Sequence, residues 1–512
     1  MQRQIILVVD YGSQYTQLIA RRVRENNSYC EVILPSSLDN FKDFNNVIGI
    51  ILSGGPNSTV NNDKYDLPDS IFKANLPILG ICFGMQLICK KFGGIIKESS
   101  SREYGKAELE IIKENKIFEN INRFVEVWMS HGDSVTKISN DFDLIASTKT
   151  KSLSAIKMKN KEIYGIQFHP EVTHTLDDGK IIYNFVNKIC NSKSEWTTKN
   201  IIAQQVLFIK NKVKEDNVIL GLSGGVDSSV AAGILHRAIG SQLTCVFIDN
   251  GLLRLNEKDQ VEKSFKDLKG IKILYIDASN LFLERLKGVS DPEEKRKVIG
   301  KAFIDVFQNE AKKIDNAKWL AQGTIYPDVI ESAESSENAH LIKSHHNVGG
   351  LPKDMNLKLI EPLRELFKDE VRKLGIELGV KKELINRHPF PGPGLAVRIL
   401  GEVKKEYADL LREADNIFIN MLHEKNMYDK ISQAFTVFMP VKSVGVTGDG
   451  RSYGNVLSLR AVKTIDFMTA KPFSFPFDFL EEVSSRIINE VPGISRVCLD
   501  ISSKPPATIE WE

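Results

Sequence analysis

The sequence lacks the usual marks of a secreted, membrane-spanning or polyanion-binding chain. Its six cysteines include no C-x-x-C pair, which argues against a zinc ribbon or a dense disulfide framework and for reduced thiols in a cytoplasmic protein. No apolar run approaches the roughly 18 residues of a membrane span, and the one nearest the start, Ile5-Ile-Leu-Val-Val9, is too short for a signal peptide. Positive and negative side chains nearly cancel, 68 against 66, so no global basic field exists to draw in nucleic acid or an anionic membrane. Internal repeats and low-complexity tracts are also missing. What remains is ordinary globular material, 42% hydrophobic and 26% charged over 512 residues, enough for about three domains of roughly 150 residues each.

Short β-branched runs alternate with helical patterns from the start: Ile5–Val9, Val32–Leu34, Val47–Leu52 and Ile78–Ile81 read as strands of a mainly parallel α/β sheet. A polar, turn-rich stretch, Asn191 to Thr198, marks a linker. A second α/β unit opens with Val218–Leu222, a helix from Ser229 to Ala238 and a strand at Leu243–Ile248. Three prolines and two glycines in His388-Pro-Phe-Pro-Gly-Pro-Gly394 rule out regular structure there and mark a boundary or hinge. After it comes a smaller α+β unit with strands expected at Phe435–Phe438, Val441–Val446 and Val497–Ile501. The expected class is α/β, two open and mainly parallel sheets followed by a smaller α+β domain, with divisions at 1–192, 200–388 and 389–512.

Two stretches carry chemistry. Gly80-Ile-Cys-Phe-Gly84 follows a strand and precedes a helical run, the elbow pattern that exposes a nucleophile, with Cys in place of Ser. From 34 glycines and 6 cysteines the pattern is expected by chance about 0.03 times. The helix start favours the thiolate of Cys82, and the Phe83 N–H can face a developing oxyanion. A base is available in Tyr164-Gly-Ile-Gln-Phe-His-Pro-Glu171: Pro170 biases His169 to extended backbone, so His169 and Glu171 share a face and complete a triad with Cys82. The glycine turn Ser53-Gly-Gly-Pro56 offers N–H groups of Gly54 and Gly55 for an oxyanion hole, and Met129-Ser-His-Gly-Asp133 reads as a turn able to hold a polar substrate. Cys89, further along the same helix, reads as core.

The second stretch, Leu222-Ser-Gly-Gly-Val-Asp-Ser-Ser229, runs from a strand into a helix and forms a phosphate cradle from its N–H groups and the helix dipole. It lacks the lysine of a Walker A loop. Its end carries Asp227 for Mg²⁺ and hydroxyls for phosphate. Phe247-Ile-Asp-Asn-Gly251 ends the next strand, where an open α/β sheet binds the rest of a nucleotide.

Together Ser53–Pro56, Gly80–Gln86, Ser130–Asp133 and His169–Glu171 resemble the class I glutamine amidotransferases. The resemblance implies attack of Cys82 on glutamine to release ammonia, with Gly54, Gly55, Phe83, Gln86, Ser130, His131, Gly132 and Asp133 at the oxyanion or the glutamine. Phe83 stands where that family often has Tyr. The loop resembles that of the ATP pyrophosphatases, which implies release of AMP and pyrophosphate, with ATP on Ser223, Gly224, Gly225, Val226, Asp227, Ser228, Ser229, Phe247, Asp249 and Lys368 and with Mg²⁺ on Asp227. Finally His388–Leu395, Gly448–Tyr453, Asp466–Thr469 and Lys504–Glu512 resemble the glutamine-hydrolysing GMP synthetase family along essentially the whole chain, with Ser503 where a glycine is common. That implies XMP contacts at Arg296, Gln433, Arg451, Lys504 and Glu510, a homodimer through the last domain, and mobile segments at 291–297 and 388–394 near the substrate. The alternatives are another ATP-pyrophosphatase amide synthetase, such as an NAD synthetase, or a dead nucleotide or glutamine sensor. The first lacks the end motif, and the second is expected to have lost Cys82 or Asp227.

Overall fold

A computed structural model describes the chain except residues 1–2, 40, 42–43, 61–64, 150–151, 178, 266–269, 330–356, 448–449, 465–466 and 468. Gly448, Asp449, Asp466 and Met468 of the expected motifs therefore lie outside the described residues. The chain forms two compact units, 1–201 and 202–512.

The first unit is built on a nine-stranded sheet. Its strands are β1 (Ile5–Val9), β2 (Cys30–Ile33), β3 (Val47–Leu52), β4 (Ile78–Ile81), β5 (Ile95–Ile111), β6 (Phe124–Lys137), β7 (Phe142–Thr148), β8 (Leu153–Met158) and β9 (Ile163–Ile166), in the spatial order β2-β1-β3-β4-β9-β8-β7-β5-β6. From β2 to β9 neighbouring strands are parallel, and from β9 to β6 antiparallel. The sequence accounts for the difference. β4 and β9 are buried at every position, as strands covered on both faces must be, whereas β6 alternates buried and less buried residues over most of its length, as a strand with one wet face does.

In the second unit β10 (Asn217–Gly221), β11 (Leu243–Asp249), β12 (Lys272–Asp277), β13 (Ala317–Ala321) and β14 (Lys358–Ile360) form an all-parallel sheet ordered β12-β11-β10-β13-β14. A third, smaller sheet contains β15 (Gln433–Thr447), β16 (Gly450–Lys463), β17 (Lys471–Pro472) and β18 (Ile494–Asp500), with β15 and β17 antiparallel to β16 and β18 parallel to it. The two segments expected at 435–438 and 441–446 are one strand, β15, irregular between Met439 and Lys442, and β16 is a strand that sequence reading missed. One hydrophobic core runs from Ile219 and Val246 through Leu395 to Phe438, Leu457 and Ile487. No helix among the described residues is long and apolar enough to cross a membrane.

The two segments expected to be mobile each contain packed residues. Asp291 caps the helix Pro292–Ala311 by accepting from the Glu294 N–H, and Lys295 on its first turn is fully buried. In the Pro/Gly stretch, Gly394 is pressed against Leu252 and the Leu395 N–H donates to the Leu252 carbonyl at 2.8 Å.

Candidate active sites

β4 feeds directly into Cys82, and the helix Phe83–Lys91 starts one residue later. Cys82 has φ 51° and ψ −104°, a conformation costly for a side chain with a Cβ. The flanking glycines explain why the turn fits: a Cβ on Gly80 would lie 2.6 Å from the Gly84 carbonyl carbon, and one on Gly84 2.7 Å from Leu52 Cβ and closer still to the Leu52 carbonyl oxygen. Close helix–strand approach thus requires glycine at both positions. The thiol stands at the helix start. Cys89 on the same helix is buried, and burial pushes its thiol up to about 12.

His169 lies three residues beyond β9. Its Nδ1 is 2.7 Å from Glu171 Oε1, and both residues are almost wholly buried. Burial alone would depress the imidazole, but the Glu171 carboxylate and the Cys82 thiol outweigh it and hold the ring well above its ordinary value. The imidazolium that an attacking thiolate needs beside it is therefore favoured. Long-range anchors fix the segment. Thr175 Oγ1 donates to the His169 carbonyl at 2.6 Å and accepts from the Trp128 N–H at 3.1 Å, while Arg22 Nε donates to the Glu171 carbonyl at 3.1 Å.

The 53–56 turn abuts the triad, since a Cβ on Gly54 would meet His169 Cε1 at 3.2 Å and Cys82 Cβ at 3.7 Å; one on Gly55 would be 3.3 Å from Phe83 Cδ1. Residues 129–133 are not the expected turn but the middle of β6, because they pair with the long β5. They still reach the site. Cys82 Sγ donates to the Ser130 carbonyl at 3.7 Å, Gln86 Nε2 to the Asp133 carbonyl at 3.0 Å, and Ser58 Oγ to the Asp133 carboxylate at 2.7 Å. The buried His131 places Nδ1 3.0 Å from the Asp133 carbonyl, and Gly132 has open space around it.

In the second unit the loop after β10 turns at Gly224, φ +73°, and the helix Val226–Ile239 begins. Ser228 and Ser229 hydroxyls donate to the Gly225 carbonyl at 3.1 and 2.8 Å, and the Ser223 and Ser228 hydroxyls meet at 3.0 Å. Asp227 Oδ2 accepts from Lys368 Nζ at 2.5 Å, while its Oδ1 is buried with no hydrogen-bond partner. An unpaired carboxylate oxygen at the end of a phosphate loop fits a hard cation. Nucleotide-bound Mg²⁺ needs only one or two such carboxylates, with phosphate and water for the rest. Asp249 Oδ1 accepts from the Gly251 N–H at 2.9 Å and braces the turn after β11. Phe247 is buried within β11 against Tyr275, so its ring is part of the core.

The residues expected around a third ligand divide. Glu510 accepts from Gln433 Nε2 at 2.6 Å and from Arg398 at 3.1 and 2.8 Å. Arg296 donates to the Glu512 carbonyl at 2.6 Å, and Lys504 Nζ to the Phe467 carbonyl at 2.8 Å. Arg451 stands apart. It is eleven residues along β16 from Val462, the partner of Gln433, roughly 35 Å away at strand rise.

The family model described as glutamine amidotransferase class-I matches residues 7–189, that of NAD synthase residues 201–277, and that of the GMP synthase C-terminal domain residues 420–511. The glutamine-hydrolysing GMP synthase of Photobacterium profundum is 59% identical, covering 99% of this chain and 98% of its own. That of Vibrio parahaemolyticus is 58% identical over 99% of each. The chain belongs to the glutamine-hydrolysing GMP synthase family. It is an enzyme of the glutamine-dependent ligase class. The crystal structure of a putative GMP synthase component from Thermoplasma acidophilum is 33% identical, covering 38% of this chain and 98% of its own, with a TM-score of 0.34.

Membership in the GMP synthase family settles the choice that the phosphate loop left open, since NAD synthase similarity is confined to the first strands of the second unit. It does not reveal Arg398, Arg254 and Arg387, which sequence reading passed over. Their guanidiniums stand 5.0, 4.7 and 5.6 Å from the Phe390 ring centre. Arg387 donates to the Gly224 carbonyl at 3.2 Å and to Glu257 at 2.7 Å, so the Pro/Gly stretch ties the phosphate loop to the Glu510 cluster. Burial brings Arg254 down to about 10 despite the nearby Asp415. Nothing in local spacing marks these arginines, because their partners come from distant segments.

Proposed function

We propose that the chain converts XMP to GMP at two coupled sites, using glutamine as the nitrogen source and ATP as the activator: XMP, ATP, glutamine and water give GMP, AMP, pyrophosphate and glutamate. The observation that carries this reading is the presence in one chain of a Cys82 elbow served by the buried His169–Glu171 pair and of a phosphate loop with an unpaired Asp227 oxygen.

At the first site His169 takes the Cys82 proton, and the sulfur attacks the glutamine carboxamide carbon. N–H groups of Phe83 and of the 54–55 turn hold the oxyanion. The imidazolium returns its proton to the leaving nitrogen, ammonia departs, and water cleaves the thioester to glutamate. Gln86, Ser130, His131, Gly132 and Asp133 line the glutamine. At the second site residues 223–229 carry the triphosphate, and Lys368 leaves Asp227 for the pyrophosphate. Mg²⁺ on Asp227, when bound, supplies charge neutralisation there. The 2-oxo oxygen of XMP displaces pyrophosphate from the α-phosphorus, and ammonia then displaces AMP at C2. Arg296, Gln433, Lys504 and Glu510 hold XMP, with the cationic groups on its phosphate.

We read the chain as three functional domains, 1–192, 200–388 and 389–512, the last also joining two copies. Exposed Val444, Val446 and Tyr453 on the β15–β16 ribbon support that contact, and Arg451 at the same end of the ribbon belongs with it.

The test is incubation with XMP, ATP, Mg²⁺ and either glutamine or an ammonium salt, with GMP and AMP expected in equal amounts. Cys82→Ala abolishes synthesis from glutamine and leaves synthesis from ammonium intact. Equal loss of both would overturn the two-site reading.

A further inference from the structure

We propose that Gln167 is a further catalytic residue of the glutaminase site: its side-chain amide donates to the Cys82 sulfur and favours the charged form of that sulfur. The inference rests on the reading of Cys82 as nucleophile and adds a group to it.

Gln167 follows β9 directly and stands two residues before His169. Its backbone is locked, since the N–H donates to the Ser154 carbonyl on β8 at 2.9 Å. The residue is 1% exposed, and its Nε2 lies 3.6 Å from Cys82 Sγ. The sulfur also faces the Ser130 carbonyl, at 3.7 Å. The thiol proton therefore has an acceptor of its own, and the Gln167 N–H meets the sulfur lone pairs. Once the proton has gone to His169, the carbonyl of Ser130 faces a negative sulfur unfavourably. The Gln167 N–H is then the neutral donor that offsets it. A donor to the charged form of an acid stabilises that form.

A second observation separates this role from packing. The Gln167 carbonyl oxygen is buried and has no hydrogen-bond partner, a state that costs free energy and that an apolar side chain of the same length would avoid. Packing alone does not require an amide there; aiming an N–H at sulfur does. The same donor acts twice in the reaction, when the sulfur attacks the carboxamide and when it leaves as the thioester is hydrolysed.

The test compares Gln167→Met with the parent in a Cys498→Ser background, because Cys498 is the exposed cysteine. Alkylation of Cys82 by iodoacetamide, located by peptide mass spectrometry, is followed against pH alongside glutamine hydrolysis and thermal unfolding. The expected result is a pH midpoint about one unit higher, corresponding to a roughly tenfold smaller thiolate fraction near neutrality. The kcat for glutamine falls by a similar factor with KM little changed, and the Tm is equal or higher. Gln167→Glu, which sets a like charge against the sulfur, moves the midpoint up further. An unchanged or lower midpoint in Gln167→Met overturns the proposal, as does lost activity accompanied only by a lower Tm. Survival of glutamine hydrolysis in Cys82→Ala would instead overturn the reading of the nucleophile, so the two failures are distinguishable.

Discussion

Replacing Gly84 by alanine isolates the geometry on which the first site depends. The added methyl would sit 2.7 Å from Leu52 Cβ and 2.9 Å from the Leu52 carbonyl carbon. Ordinary contact begins near 3.4 Å and the Leu52 carbonyl oxygen would lie closer still to the methyl, so β3 and the helix Phe83–Lys91 must part by about 1 Å, and neither partner is a flexible side-chain end. Overpacking of this kind costs about 1–3 kcal/mol, and each kcal/mol lowers Tm by about 2–4 °C for a unit of this size. The chemical cost is larger. Displacing the start of the helix moves Cys82 and the Phe83 N–H together, and a misplacement near 1 Å costs on the order of 100-fold in rate. We expect Gly84→Ala to lose about 100-fold in glutamine-driven GMP formation while ammonium-driven formation stays close to the parent, because the second unit folds around its own core. Gly300→Ala is the control: it adds a methyl on the helix Pro292–Ala311 with nothing within 4 Å, and it leaves both activities unchanged. Glutamine-driven activity of Gly84→Ala within threefold of the parent would refute the argument that the elbow glycines are set by close approach.

Two other sites make predictions about stability. Burial holds the His388 imidazole at about 4, so as pH falls the unfolded chain takes up this proton first. Stability is complete above about 6.5 and declines between there and 4, by up to about 3 kcal/mol from this residue. Urea midpoints measured from pH 7 to 4.5 should therefore fall less steeply in His388→Asn than in the parent; parallel profiles would refute the assignment. Lys295 is fully buried and donates to the carbonyls of Ala396 and Ile399, at 3.3 and 2.7 Å, and to the Glu512 carboxylate. Lys295→Met leaves that carboxylate without its cation, with only the Gly401 N–H at 3.2 Å still donating to it, at a cost of about 3–5 kcal/mol. The result should be a lower urea midpoint and a raised KM for XMP.

The sequence by itself determined everything that rests on short spacing. Strand, elbow and helix around Gly80–Gly84 were legible because two glycines and a cysteine at that interval answer a local steric demand, which Leu52 and the helix backbone then impose. The His169–Glu171 pair was legible because two residues separated by one proline-fixed position face the same way. The phosphate loop was legible because glycine and hydroxyl residues between a strand and a helix have few other uses. Tertiary structure alone decided what depends on distant partners. It made residues 129–133 a strand, since the pairing edge of β5 competes with any local turn. It made the Pro/Gly stretch a packed joint, because Arg254 from a distant segment meets Phe390 beside the neighbouring Arg387 and Arg398. It set Gln167 against the sulfur and buried Lys295 beneath Glu512, contacts spanning 85 and 217 residues. Periodicity and motif spacing report forces within a few turns of chain, whereas charge pairing and burial are settled only when remote segments meet.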